Sequence, residues 1–180
     1  AKERKYRMSV WHAIYSRHLI TKNKLKFCSE REFISEDIIF HIDYLTKAKK
    51  IGFIPDPLYY YCDNGGSLTK TFRKDRLPKH VAIYKEIMAR LKLVTHDKQI
   101  VKHRVDRFFI GYSKFDIKGI SNSNISFKEK KMLITKICCD PTWKLLSDYP
   151  FYLMNLKNML IYVLIRFRMV RTLITLYKIF

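Results

Sequence analysis

Ile34-Ser35-Glu36-Asp37-Ile38-Ile39-Phe40-His41-Ile42-Asp43-Tyr44-Leu45 carries the clearest structural signal in the chain. Ser35 suits an N-cap, because a side-chain oxygen there can accept from a first-turn amide that has no partner within the helix. Glu36 and Asp37 follow in the first turn, where negative charge complements the positive end of the helix dipole. Ile38, Ile42 and Leu45 recur at helical spacing with Ile39 beside them, which gives the helix one apolar side. The pattern predicts a helix to about Lys49, ending in basic residues as the dipole prefers. His41 lies four residues after Asp37 on the same face, open either to ligating a metal or to packing and hydrogen bonding.

Upstream, Val10, Trp11, Ile14 and Leu19 fit a short helix within residues 8–20, with Ser9 as its cap, and the Lys-rich 21–26 reads as a loop leading to Phe27. Downstream, residues 50–54 and 58–62 are β-branched and aromatic, separated by Pro55-Asp56-Pro57 and followed by Asn64-Gly65-Gly66; they predict two short strands and a turn. From Asp75 onward the pattern is helical, over residues 79–93 and again from Asp97 to about Asp116. Residues 119–126 read as a loop, and Ser126 with Glu129 three residues on forms a capping-box start for a third helix, which Pro141 ends or follows.

The tail, residues 150–180, is apolar but interrupted by Lys157, Arg166, Arg168, Arg171 and Lys178. Its longest uncharged run, 158–165, is far shorter than the roughly 20 residues a spanning helix needs. It reads as a basic amphipathic helix, suited either to an anionic bilayer surface or to packing on the core with a solvated basic face. The resulting expectation is an α+β chain, mostly helical, with units at 1–75, 76–149 and 150–180.

Composition bounds the function. Thirty-six Lys and Arg against 16 Asp and Glu give a net charge of +20, which favours nucleic acid, acidic headgroups or phosphorylated substrates as partners. An apolar share of 48% excludes a disordered chain, and only 5 Gly and 5 Pro argue against an all-β fold. Cys28, Cys62, Cys138 and Cys139 show neither a Cys-x-x-Cys pair nor a His at zinc-ligand spacing, so reduced thiols in a cytoplasmic compartment are expected. The run Ala1 to Arg7 has no apolar stretch of the secretory kind.

In order, Val10-Trp11-His12-Ala13-Ile14-Tyr15-Ser16-Arg17, Phe27, Ser35-Glu36-Asp37-Ile38-Ile39-Phe40, Leu58-Tyr59-Tyr60-Tyr61 and Ser67-Leu68-Thr69 form a set. Over residues 8–72 the set resembles the C-terminal, acceptor-side half of bacterial family-two, GT-A-type inverting glycosyltransferases that build capsular and exopolysaccharide. Ala13 stands where that family commonly has Lys, and Cys62 where a basic residue often follows the Tyr-rich strand.

The resemblance implies a partial GT-A domain followed by a helical region. It implies Asp37 as the general base that deprotonates the acceptor hydroxyl, Glu36 as its neighbour, and Trp11 and Ser67 as substrate contacts, with Trp11 stacking on a pyranose face. It also implies a nucleotide-sugar donor and a divalent metal, Mg²⁺ or Mn²⁺, held by an N-terminal half with an Asp-x-Asp segment. The 180 residues contain no Asp-x-Asp, so they are expected to bind neither alone and to be inactive without that half. The implied acceptor is a growing or lipid-linked glycan at the inner face of the cell membrane, approached peripherally through the C-terminal helix, with no specific nucleic acid. The alternative from composition is a basic helical module without catalysis, binding nucleic acid or acting as a membrane scaffold.

Overall fold

The computed structural model describes residues 9–29, 31–60, 62, 74–94 and 97–179. Within these, eight α-helices follow in order: α1 Arg17–Lys22, α2 Glu36–Leu45, α3 Arg76–Val94, α4 Lys98–Asn122, α5 Phe127–Cys138, α6 Thr142–Leu145, α7 Leu156–Arg166 and α8 Val170–Ile179. Single 3-10 turns at Val10–His12 and Phe151–Leu153 complete the regular structure. The described residues contain no strand, so the expected α+β class with a partial GT-A sheet is corrected to an all-helical fold.

The correction has a local cause. In residues 50–60 the apolar side chains are exposed on both sides of the backbone, Ile54 and Leu58 at 64% and 73%. An isolated two-stranded ribbon is marginal in water, and the two prolines remove ladder donors at the join. The described residues supply no third strand to pair with. The Asn64-Gly65-Gly66 turn lies outside the described residues.

Helix α4 is the axis of the core. It packs on α3, α5 and α8, and α2 packs on α3. Val101, Val105, Phe109, Ile117 and Ile120 recur on its inner side and are buried with Ile83 and Ile87 of α3, Ile134 and Ile137 of α5 and Leu173 and Ile174 of α8. Asp97 caps α4, its carboxylate accepting from the amides of Gln99 and Ile100 at 3.1 and 3.0 Å. The helix runs six residues past the expected end, through Gly119, to Asn122. There the buried Lys130 ammonium donates to the Ser121 carbonyl at 2.7 Å, satisfying an orphan acceptor at the negative end of the dipole. The Ser126 cap of α5 forms as expected, accepting from the Glu129 amide at 3.2 Å.

Two expected helices are divided. Residues 8–20 split into the 3-10 turn and α1, which Ser16 rather than Ser9 caps. The tail breaks between α7 and α8, where Arg168 takes a φ of 55°. The Arg168 amide donates to the Ile165 carbonyl and the Met169 amide to that of Leu164, at 3.0 and 2.9 Å. This is a Schellman closure, a turn that usually carries glycine at the left-handed position and so left no sign in this sequence. The apolar side of α8 is then spent on the core: Val170, Leu173, Ile174 and Tyr177 are all buried. The exposed apolar residues of the tail are instead Phe151, Tyr152, Leu156, Leu160, Phe167 and Met169. No helix among the described residues is long and apolar enough to cross a membrane.

Candidate functional site

The start of α2 is where the expected site residues meet. Glu36 and Asp37 occupy its first turn and are both half-buried. Ser35 precedes them with a φ of 70° and makes no side-chain cap bond. The Val10 amide takes over that linkage from the other direction: it donates to Asp37 Oδ2 at 3.3 Å across 27 residues of sequence. The 3-10 turn that carries Trp11 is therefore tied to the carboxylate pair. Asp37 Oδ1 has no hydrogen bond among the described residues, so one oxygen of the clamped carboxylate keeps its lone pairs for another donor.

Trp11 lies against Tyr59, with ring centroids 4.7 Å apart and planes inclined by 34°. Trp11 is 36% exposed and Tyr59 52%, so together they offer a partly open aromatic surface. Residues 58–60, expected as a strand, contribute instead as an extended segment that brings Tyr59 to the Trp11 turn. Ser67, the other expected substrate contact, lies outside the described residues.

Beneath this surface the contacts are structural. Tyr15 Oη lies 3.1 Å from His41 Nε2, and the Tyr15 ring meets Phe40 and Tyr44 edge-on at 5.4 and 5.0 Å. The Ser16 amide donates to Tyr44 Oη at 2.8 Å, and Phe27 stacks on Phe40 at 4.1 Å. Burial holds the His41 imidazole below its ordinary pKa, although a hydrogen bond to the Ser9 backbone and the nearby Asp37 charge act in the opposite direction. His41 is buried and meets Tyr15, the packing and hydrogen-bonding arrangement that its sequence position left open beside metal ligation. Among the described residues no three His, Cys, Asp or Glu side chains are grouped to hold a metal.

Polar groups from α3 and α4 lie behind the helix start. Beside Ser35, the Tyr112 phenol has its pKa raised chiefly by burial and further by the Asp37 and Glu36 charges. Tyr112 stacks on His80 at 4.4 Å with planes 12° apart, and His80 Nδ1 reaches Asp116 Oδ2 at 2.8 Å. Arg76 lies 3.8 Å from the other oxygen of Asp116. None of these residues was legible as site support, because they come from helices 40 or more residues away whose periodicity reports burial and not partners. Tyr59 and Tyr15 were visible only as members of aromatic segments.

Compared with known proteins, the chain has no significant match to any family model, curated protein or solved structure.

Proposed function

We propose that this chain provides the acceptor side of an inverting sugar transferase. The observation that supports this reading is the hydrogen bond from the Val10 amide to Asp37, which sets a partly open Trp11–Tyr59 surface beside a half-buried carboxylate pair. A flat aromatic face suits the apolar side of a pyranose, and a carboxylate with one oxygen already held suits removal of a proton from the hydroxyl of that sugar. Asp37 is assigned as the base, Glu36 as the neighbour that fixes the helix start or meets the substrate, and Trp11 as the stacking surface. Ser67 is retained as a substrate contact. The acceptor is a glycan, free or lipid-linked. The nucleotide-sugar and its metal are assigned to other parts of the complete protein.

The test is nucleotide-sugar transfer by the complete gene product, wild type against Asp37→Asn. Asparagine keeps an oxygen for the Val10 amide and cannot act as a base. Turnover is expected to fall by about 10²-fold or more, the typical contribution of a general base. Full activity in Asp37→Asn would remove the assignment.

The tail is proposed to rest on an anionic membrane surface at the cytoplasmic face through Leu156, Phe167 and Met169, with Lys157, Arg168 and Arg171 meeting the headgroups. Because α8 fills the core, deleting the tail would unfold the chain, and point changes are the proper probe. Phe167→Ser with Arg168→Gln is expected to lower co-sedimentation with phosphatidylserine vesicles. Unchanged co-sedimentation would end the membrane role of these residues.

A further inference from the structure

A cavity of about 750 Å³ opens between the start of α3, the last turns of α4 and the outer face of α5; it shares Arg76 and Asp116 with the polar groups behind the start of α2 and none of Trp11, Glu36 or Asp37. Its walls are apolar, formed by Leu77, Phe115, Ile120, Met132, Leu133 and Ile137. Phe115 and Met132 remain 48% and 50% exposed, so this apolar surface is not closed off by the fold. The volume falls within the roughly 300–1,000 Å³ typical of small-molecule sites.

The charged lining residues are four cations, Lys74, Arg76, Lys118 and Lys136, against two acids, Asp116 and Glu129. Both acids are already engaged. Glu129 is paired with Lys74, and Asp116 lies 2.8 Å from His80 Nδ1 and 3.8 Å from the Arg76 guanidinium. Arg76 is further fixed over the Phe115 ring, 5.0 Å from its centroid. Lys118 and Lys136 pair with no acid among the described residues. An apolar chamber with uncompensated ammonium groups suits a ligand with the opposite arrangement, an apolar body ending in an anion.

We propose that this cavity binds an anionic amphiphile, a molecule with a single apolar chain and a phosphate head, with the chain between Phe115, Met132 and Leu133 and the head at Lys118 and Lys136. Gly119 provides a means of blocking it. It lines the cavity, and a Cβ built there meets nothing within 4 Å. Replacing a glycine inside a helix also raises helix propensity, so a bulky residue at 119 is expected to fill the space without unfolding α4.

The experiment is calorimetric titration of the whole 180-residue chain with dodecyl phosphate below its micelle concentration, beside dodecyl maltoside and inorganic phosphate. Saturable one-to-one binding is expected for dodecyl phosphate. The neutral detergent and the free ion should each bind at least about tenfold more weakly, because each lacks one half of the recognition. Lys118→Gln with Lys136→Gln should weaken dodecyl phosphate by about tenfold or more, and Gly119→Phe should abolish binding, both with an unchanged or higher Tm. Equal neutralisation at the exposed Lys85 and Arg104, outside both the cavity and the tail, should leave it intact, which separates the cavity from the general effect of the +20 charge. The proposal is overturned if no saturable binding is seen, if either half-ligand binds as well as dodecyl phosphate, or if Gly119→Phe binds like wild type.

Discussion

The hydroxyl of Tyr84 gives the sharpest test of the core. Tyr84 is 5% exposed and Asp106 fully buried, with Tyr84 Oη donating to Asp106 Oδ1 at 2.9 Å. The second carboxylate oxygen accepts from Lys102 Nζ at 2.7 Å, and Lys102 also reaches the exposed Asp148 at 2.7 Å. Tyr84→Phe removes one oxygen and leaves the ring in place against Phe109, 5.6 Å away. The lost interaction is a buried hydrogen bond to a charged acceptor, which contributes about 1.5–3 kcal/mol. For a chain of this length that lowers Tm by about 3–12 °C. Urea unfolding followed by circular dichroism should show a lower midpoint at unchanged slope. Tyr84→Phe, Lys102→Met and Asp106→Leu combined should recover most of the loss, since a packed apolar cluster is often as stable as a buried ion pair. A Tyr84→Phe stability within about 0.5 kcal/mol of wild type would refute the claim that this hydrogen bond is formed and buried.

His41 makes stability depend on pH. Its folded pKa lies below the ordinary value of about 6.5, so the unfolded chain takes up the proton first as pH falls. The associated stability is complete above about 6.5 and is lost as pH drops through the folded value. Urea midpoints at pH 7.5 and 5 should therefore differ more in wild type than in His41→Gln, and equal differences would count against a buried neutral imidazole. Cys138 is buried, with its thiol pushed up to about 12 mainly by burial, whereas Cys139 and Cys62 are exposed. Iodoacetamide at pH 7.5 should modify Cys139 and Cys62 and spare Cys138 until the chain is unfolded. Peptide mass spectrometry that finds Cys138 modified as fast as Cys139 in the native protein would contradict its placement in the core.

The apolar face of α2 and the start of α5 were legible in the sequence, whereas α2 ends at Leu45, short of the expected Lys49 and without a basic last turn. The Ile38, Ile39 and Ile42 face of α2 is buried as its spacing requires, and the Ser126 cap of α5 involves only residues within one turn. Ser35 shows the limit of that reasoning. Its type and place are those of a cap, yet its backbone takes a φ of 70° and its side chain makes no cap bond, an outcome of how the chain enters the helix and not of residue type. The segment at 50–60 failed for a related reason: β-branched and aromatic content states a preference for extended backbone, and a strand also needs a neighbour.

The sequence by itself determined that the chain is helical over most of its length, strongly basic, and marked at Glu36-Asp37 by acids beginning a helix. Those properties depend on residue type and on spacing within a turn or two. Only the tertiary structure decided that the tail turns back at Arg168 to put α8 into the core, and that Trp11 meets Tyr59 beside Asp37. Only packing, too, left a cationic, apolar cavity between α3, α4 and α5. These depend on contacts between residues 20 to 60 positions apart, and periodicity identifies the side of a helix that is buried without identifying what buries it.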